Sequence, residues 1–321
     1  MAAAHSPRLI CVTGGSGFIG SAFLRHVSAV SDTRLRVLDL TPPPKDVEAE
    51  FVRGSITDPG PLRQAFEGAD TVVHLAGELG VVNCQHNPHK VIDINIGGTA
   101  AVTAAALEAG AEHLLFCSTS EIYGDGTGRV LSEDAVARPH SLYGRAKLLS
   151  ESVVAEFSRS PGRRATVVRP FNVYGPGQRP DFVVSRFVEL ASRGEPLTVH
   201  GDGAQIRTFT YVDDLAAGMW AALCRPASEG APFEIYNLAS QQTFSITEVV
   251  EMVNDLAGSD SPVVRISPGE AGRDAAQEVT VRIPSAAKAE EHLGFRASVT
   301  LSEGIRRCLA ARPASPLGSA R

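Results

Sequence analysis

Thr13-Gly14-Gly15-Ser16-Gly17-Phe18-Ile19-Gly20 decides the fold of this 321-residue chain. It follows the apolar run Leu9-Ile10-Cys11-Val12 and opens a stretch, residues 18–30, that reads as a helix. The glycines satisfy G-x-G-x-x-G through Gly15, Gly17 and Gly20, and T-G-x-x-G-x-x-G through Thr13, Gly14, Gly17 and Gly20. Glycines permit a tight turn and let the backbone approach a pyrophosphate, whose charge a helix N-terminus favours. Phe18 and Ile19 carry the turn into the helix. Asp39 closes the second predicted strand, close to the offset of about 20 residues expected for a ribose-binding acid. A carboxylate there accepts bonds from a free 2′-hydroxyl and repels a 2′-phosphate, so NAD is expected rather than NADP.

Outward from this turn, residues 35–38, 51–52, 71–76, 114–117 and 165–168 read as strands. Residues 58–67, 91–109 and 142–157 read as helices between them. That alternation implies βαβ units and a parallel sheet covered on both faces. The expected class is α/β: a Rossmann-like doubly wound parallel sheet over residues 1–170, with a smaller α+β substrate-binding domain. After Pro170 elements shorten and glycine and proline become frequent, as in Tyr174-Gly175-Pro176-Gly177. Residues 182–192 and 246–256 look helical, and 197–199 and 206–211 look like strands. The smaller domain is assigned to 171–208 and 239–311. Residues 209–238 return to the first domain through a helix (213–223) and a strand (233–238). Residues 312–321 read as a flexible tail.

Net charge is −6, apolar residues make up 43% and charged residues 21%, which are ordinary globular proportions. The mild acidity argues against a dedicated nucleic-acid binder. No apolar run approaches the roughly 18 residues of a membrane span. The N-terminus lacks a secretory pattern, so a cytoplasmic location is expected. The five cysteines are widely spaced with no C-x-x-C, which points to neither disulfides nor zinc. Cys11 and Cys117 lie in apolar runs and read as small core residues. His86-Asn87-Pro88-His89 lacks a third ligand, so no metal is expected. His74 ends a buried strand and reads as structural.

Lysine occurs only at positions 45, 90, 147 and 288, which makes Tyr143-Gly144-Arg145-Ala146-Lys147 stand out. Residues four apart share a helical face. An ammonium beside the phenol, with a nicotinamide's positive charge, favours the phenolate as a base towards a sugar hydroxyl. Thr119 ends a buried strand and is placed to bond the same hydroxyl.

With these residues in order, the chain resembles the extended short-chain dehydrogenase/reductase, or NAD-dependent epimerase/dehydratase, family. The resemblance covers Thr13 to Gly20, His74-Leu75-Ala76, Asn95, Ser118-Thr119-Ser120-Glu121-Ile122-Tyr123-Gly124, Tyr143 and Lys147, Arg169-Pro170-Phe171-Asn172-Val173-Tyr174-Gly175, and Arg207 to Asp214. It implies a nucleotide-diphosphate sugar as substrate, with a UDP-sugar expected, and oxidation at C4 by bound NAD. It implies Thr119, Tyr143 and Lys147 as the catalytic triad. Leu75, Ala76 and Pro170 fall in segments that line the cofactor, and Asn172 and Arg207 match positions that hold the diphosphate. Arg273 is a further phosphate candidate. It also implies a homodimer through the helices at 91–109 and 142–157, where Ala100, Ala101, Ala104 and Ala105 permit close packing.

Two departures stand out. Ser55 replaces the usual aspartate near the adenine, before Ile56. Gly77-Glu78-Leu79-Gly80 follows His74-Leu75-Ala76 and is expected to border the sugar, with Glu78 a substrate contact. Ser120-Glu121 bears on the reaction. Once C4 is a ketone, the C5 proton is acidic; Glu121 is expected to remove it, with Ser120 or Glu121 assisting a departing C6 hydroxyl. The family's dehydratases carry two acids here. Dehydration is favoured, epimerisation and decarboxylation remain open, and a non-catalytic NAD-binding regulator ranks below them because Tyr143 and Lys147 are both present.

Overall fold

The computed structural model describes residues 7–79, 87–126, 128–267 and 279–312. The central strands are almost wholly apolar and covered on both faces. β1 (Leu9–Thr13), β4 (Thr71–His74) and β5 (His113–Cys117) are buried at every position. β2 (Arg34–Asp39), β3 (Glu50–Arg53), β7 (Arg164–Pro170) and β12 (Phe233–Leu238) complete a seven-stranded sheet in the order β12-β7-β5-β4-β1-β2-β3. Every pairing in it is parallel. The order reverses direction between β1 and β4, and ligands of such sheets bind at the strand C-termini beside that switch point.

Alternation along β1 separates two cores. Ile10 and Val12 face Phe23, Leu24 and Val27 of α1 (Phe18–Val30). Leu9 and Cys11 face the opposite layer, with Leu62 and Phe66 of α2 (Pro59–Phe66). α3 (Pro88–Glu108) and α4 (Leu142–Phe157) complete that layer. α3 is longer than expected from sequence and contains a π-helical segment, Ile92–Gly98. Its 21 residues are long and apolar enough to cross a membrane by composition. Alanines give that hydropathy, and the helix instead packs between α2 and α4 over the sheet. Cys11 and Cys117 are core residues, as expected.

The later chain builds a third core. α5 (Val183–Ser192) buries Val184, Phe187, Val188 and Ala191, an i, i+3, i+4, i+7 stripe. It meets α7 (Ile246–Ala257) and α9 (Leu301–Ala310). α7 starts with a capping box between Ser245 and Glu248 and ends at left-handed Gly258. α6 (Val212–Cys224) returns to pack on α1, and α8 (Ala287–Leu293) lies near β12.

The expected single strand at 206–211 is two. β10 (Ile206–Thr208) joins a four-stranded sheet with β6 (Val130–Leu131), β13 (Thr243–Ser245) and β15 (Val281–Pro284), in the order β13-β10-β15-β6. β11 (Thr210–Tyr211) pairs instead with β8 (Val173–Tyr174). Phe209 between them is buried in the third core, so the chain changes sheets at an apolar anchor that leaves the sequence pattern unbroken. β9 (Leu197–His200) and β14 (Val263–Ile266) form a separate parallel pair.

Candidate active site

The glycine turn sits where β1 ends at the switch point. Gly14 has φ +73°, and a Cβ there would lie 2.6 Å from the Ala76 nitrogen. A Cβ at Gly20 would lie 2.3 Å from the Gly14 oxygen. Both positions exclude side chains because backbone meets backbone. Gly17 caps α1 without a side-chain bond, so N–H groups of the first turn are left for a ligand. Asp39 braces the loop: its carboxylate accepts from Ser16 N (3.0 Å), Leu40 N (2.7 Å) and Thr41 N (3.3 Å). Ser55, the departure near the adenine position, pairs its hydroxyl with that of Thr57 at 2.8 Å, above buried Ile56. Leu75 N bonds Thr13 O, which fixes the next loop against the glycines. This cradle fits a dinucleotide pyrophosphate.

His74 lies in the floor. Its ring bonds Thr13 Oγ1 (2.7 Å) and Thr99 Oγ1 (3.1 Å). Burial pushes its pKa down to about 3, helped by the Lys147 charge, so it stays neutral. Its role here is structural.

Tyr143 and Lys147 lie on the buried face of α4, 8% and 3% exposed. Ser141 caps this helix by accepting from Gly144 N at 3.0 Å. Lys147 Nζ donates to Cys117 O at 2.8 Å and lies 4.5 Å from the Phe116 ring centroid. Thr119 is half-buried and caps the 3-10 turn Ser120–Tyr123 by accepting from Glu121 N at 3.2 Å. A Cβ at Gly144 would lie 2.9 Å from the Glu121 oxygen, so the residue beside Tyr143 rests directly on this turn. A Cβ at Gly77 would lie 2.9 Å from Asn95 Oδ1 and 3.7 Å from Lys147 Nζ. Gly77 therefore borders the Lys147 ammonium. Asn95, in the π segment, holds the Glu78 backbone at both ends (2.7 and 3.0 Å), and Lys90 pairs with the Glu78 carboxylate at 2.6 Å.

Ser120 is buried, 3% exposed, with a neutral side chain beside Glu121. Asn172 adopts φ +37°, and its amide donates to Thr208 O at 2.7 Å. Arg207 bonds the backbone oxygens of Ile206, Val279 and Thr280. Arg273 and His86 lie outside the described residues, as does Gly80. Among the described residues no three His, Cys, Asp or Glu side chains gather as metal ligands.

Arg282 was not among the residues expected from sequence. It is 2% exposed, bonds Glu121 Oε1 through Nη1 at 2.5 Å and Gly124 O through Nε at 3.2 Å. Its Nη2 is buried without a hydrogen-bond partner among the described residues. It is also the register partner of Arg207 on the neighbouring strand. A lone arginine between Val281 and Ile283 is the only sequence signal of its position.

The NAD dependent epimerase/dehydratase family model matches residues 10–239. The chain belongs to this family. It is an enzyme family whose cofactor is NAD. The chain is 30% identical to a UDP-N-acetyl-alpha-D-glucosaminuronate decarboxylase of Bacillus cytotoxicus, over 93% of this chain and 95% of the relative. It is 30% identical to a dTDP-glucose 4,6-dehydratase of Streptomyces griseus, over 94% and 93%. Among solved structures, MoeE5 in complex with UDP-glucuronic acid and NAD superposes with a TM-score of 0.86 at 29% identity, covering 94% of this chain and 98% of that one.

Proposed function

We propose that this chain is a nucleotide-sugar dehydratase acting on a UDP-hexose or UDP-N-acetylhexosamine, with UDP-N-acetylglucosamine the first substrate to test. Held at the glycine turn of Gly14, Gly17 and Gly20, NAD would supply the hydride chemistry at C4. Tyr143 takes the proton of the C4 hydroxyl, Lys147 supplies the neighbouring positive charge, and Thr119 orients the same hydroxyl. The C5 proton of the resulting ketone passes to Glu121, the C5–C6 double bond forms, and the C6 hydroxyl leaves as water with the proton that Glu121 took, Ser120 assisting. With hydride restored at C4, Tyr143 would return the proton to the C4 oxygen, and the product would be a 5,6-ene. The carrying observation is Glu121, two residues beyond Thr119, whose backbone oxygen lies against the helix of Tyr143 and whose carboxylate is held by Arg282. The segment Thr119-Ser120-Glu121-Ile122-Tyr123 also resembles the UDP-N-acetylglucosamine 5,6-dehydratase of tunicamycin biosynthesis.

A second reading has an observation of its own. The spare Nη2 of Arg282 suits a C6 carboxylate, and the decarboxylase and MoeE5 named above act on or bind uronic acid nucleotides. In that reading a 4-keto uronate loses its carboxylate as carbon dioxide, or C4 inverts. The reading also includes a cytoplasmic homodimer, formed where Ile92 and Leu149 are 46% and 50% exposed on α3 and α4.

One experiment separates these. The protein is incubated in D₂O with UDP-N-acetylglucosamine, UDP-glucose and UDP-glucuronate, and products are followed by proton NMR. A vinylic methylene supports the dehydratase. A pentose from UDP-glucuronate replaces it with the decarboxylase, and C4 inversion alone makes the chain an epimerase.

A further inference from the structure

Tyr143, Lys147 and Glu151 are spaced four apart and share the buried face of α4, with Glu151 5% exposed. The first two are absorbed by the proposed chemistry; the third is a buried carboxylate that it leaves unused. Glu151 takes both arms of Arg169, at 3.0 Å from Nε and 2.7 Å from Nη2. It also accepts from Ser118 Oγ at 2.5 Å. Arg169 then reaches Tyr123 Oη (2.8 Å) and Glu133 O (2.9 Å) through Nη1. Tyr123 Oη donates to Asn237 Oδ1 at 2.8 Å, and burial pushes its phenol up to about 12, so it remains a neutral link.

These bonds have one feature in common. The segment 117–123 carries Thr119 and Glu121, and it is pinned at both ends. Lys147 holds Cys117 O, Glu151 holds Ser118, and Arg169 holds Tyr123. Two of those three anchors rest on the same helix face as Tyr143. A buried, fully bonded ion pair has two arms in fixed geometry, which is a means of registering one element against another. It also keeps Arg169 from acting as an unpaired cation beneath the site.

We infer that Glu151 and Arg169 are the positioning pair of this active site, setting the register of Thr119 and Glu121 against Tyr143 and cancelling the charge behind it. The inference rests on the reading of Tyr143 as the base for C4 oxidation. Neither residue touches substrate; both act through Ser118, Tyr123 and the α4 backbone.

The pair makes an electrostatic signature that packing alone does not. Positions 143 and 151 are about 12 Å apart along the helix. An uncompensated unit charge at that distance moves a titration by about one pH unit at an effective dielectric near 20. Glu151→Gln leaves Arg169 positive and favours the phenolate, so the acid limb of hydride transfer moves to lower pH. Arg169→Met leaves Glu151 negative and moves the limb to higher pH. The other titratable or charged groups around this face are Lys147 on α4, His74 on β4, Cys117 on β5, Glu121 and Tyr123 on the 3-10 turn, Glu133, and Arg282 on β15. All are the same in every variant.

The test uses the full chain loaded with NAD. Single-turnover reduction of bound NAD by the three UDP-sugars is read at 340 nm across pH, with UDP affinity and thermal unfolding measured beside it. The expected result is limbs shifted in opposite directions for the two single variants and restored in the Glu151→Gln/Arg169→Met double variant. Hydride transfer is expected to fall at least tenfold in all three, with UDP affinity unchanged. The double variant holds no unpaired charge and serves if a single variant fails to fold; wild-type hydride transfer in it overturns the inference. Unshifted limbs, or shifts of one sign, also overturn it. Absence of hydride transfer in the wild type is a different failure, which overturns the reading of Tyr143.

Discussion

Arg282 closes on Glu121 across 161 residues of sequence, from β15 of the four-stranded sheet to the 3-10 turn that follows β5. The carboxylate proposed to act at C5 is therefore set by a residue of the later chain. Glu121→Gln separates the two stages of the proposed reaction. Exchange of the C5 proton with D₂O is expected to drop by 100-fold or more, the usual scale for removing a general base. Reduction of bound NAD by the sugar nucleotide continues. Parental exchange in this variant removes Glu121 from the role.

Arg282→Met breaks the pair from the other side. The loss is expected in C5 exchange and in product formation, because Arg282 holds the Glu121 carboxylate. Equal use of UDP-glucuronate by variant and parent would exclude Arg282 from contact with a C6 carboxylate.

Gly20→Ala tests the cradle. The new Cβ falls on the Gly14 oxygen and within 2.7 Å of Gly15 Cα, all backbone. Overpacking of this kind costs about 1–3 kcal/mol. The expected outcome is a lower unfolding temperature and loss of co-purified NAD, measured by absorbance after denaturation.

Two buried histidines predict acid sensitivity. Burial pushes His74 and His113 down to about 3, so both are neutral when folded and take up protons only when unfolded. Their contribution is complete above the unfolded value near 6.5 and is lost as pH falls towards the folded value. Each adds a slope of up to about 1.4 kcal/mol per pH unit below that point. His113 bonds Thr166 far from the catalytic turn, so His113→Gln isolates the effect. Its unfolding temperature is expected to fall less steeply than the parent's between pH 6.5 and 5. Parallel curves would contradict this.

Leu149→Arg probes the proposed dimer. Half-exposed on α4, Leu149 has no core role there, so the variant is expected to fold and to elute as a monomer in sedimentation or light scattering at micromolar concentration. A parent already monomeric would remove the dimer.

The first half of the fold was legible because its signals are local. Leu9 to Gly20 spells strand, turn and helix through residues in contact with their own neighbours, and Asp39 lies one βαβ unit away. Tyr143 and Lys147 declare themselves by helical spacing. The split at Phe209 was not legible, because an apolar residue fits a continuous strand as well as a corner between two sheets. The length of α3 was partly hidden by its π segment, which no apolar period marks.

What the sequence alone determined is the set of chemical groups and their local order: the glycine turn, the aspartate that ends β2, the Tyr–Lys face and a carboxylate two residues after Thr119. What only the tertiary structure decided is how those groups are held. Arg282 meets Glu121, Arg169 meets Glu151, and Arg207 turns to the carbonyls of β15's approach, across separations that leave no periodic trace. Helix and strand periods record contacts within a few residues. An ion pair between distant elements depends on how whole layers pack, and burial then determines which of those charges have a partner.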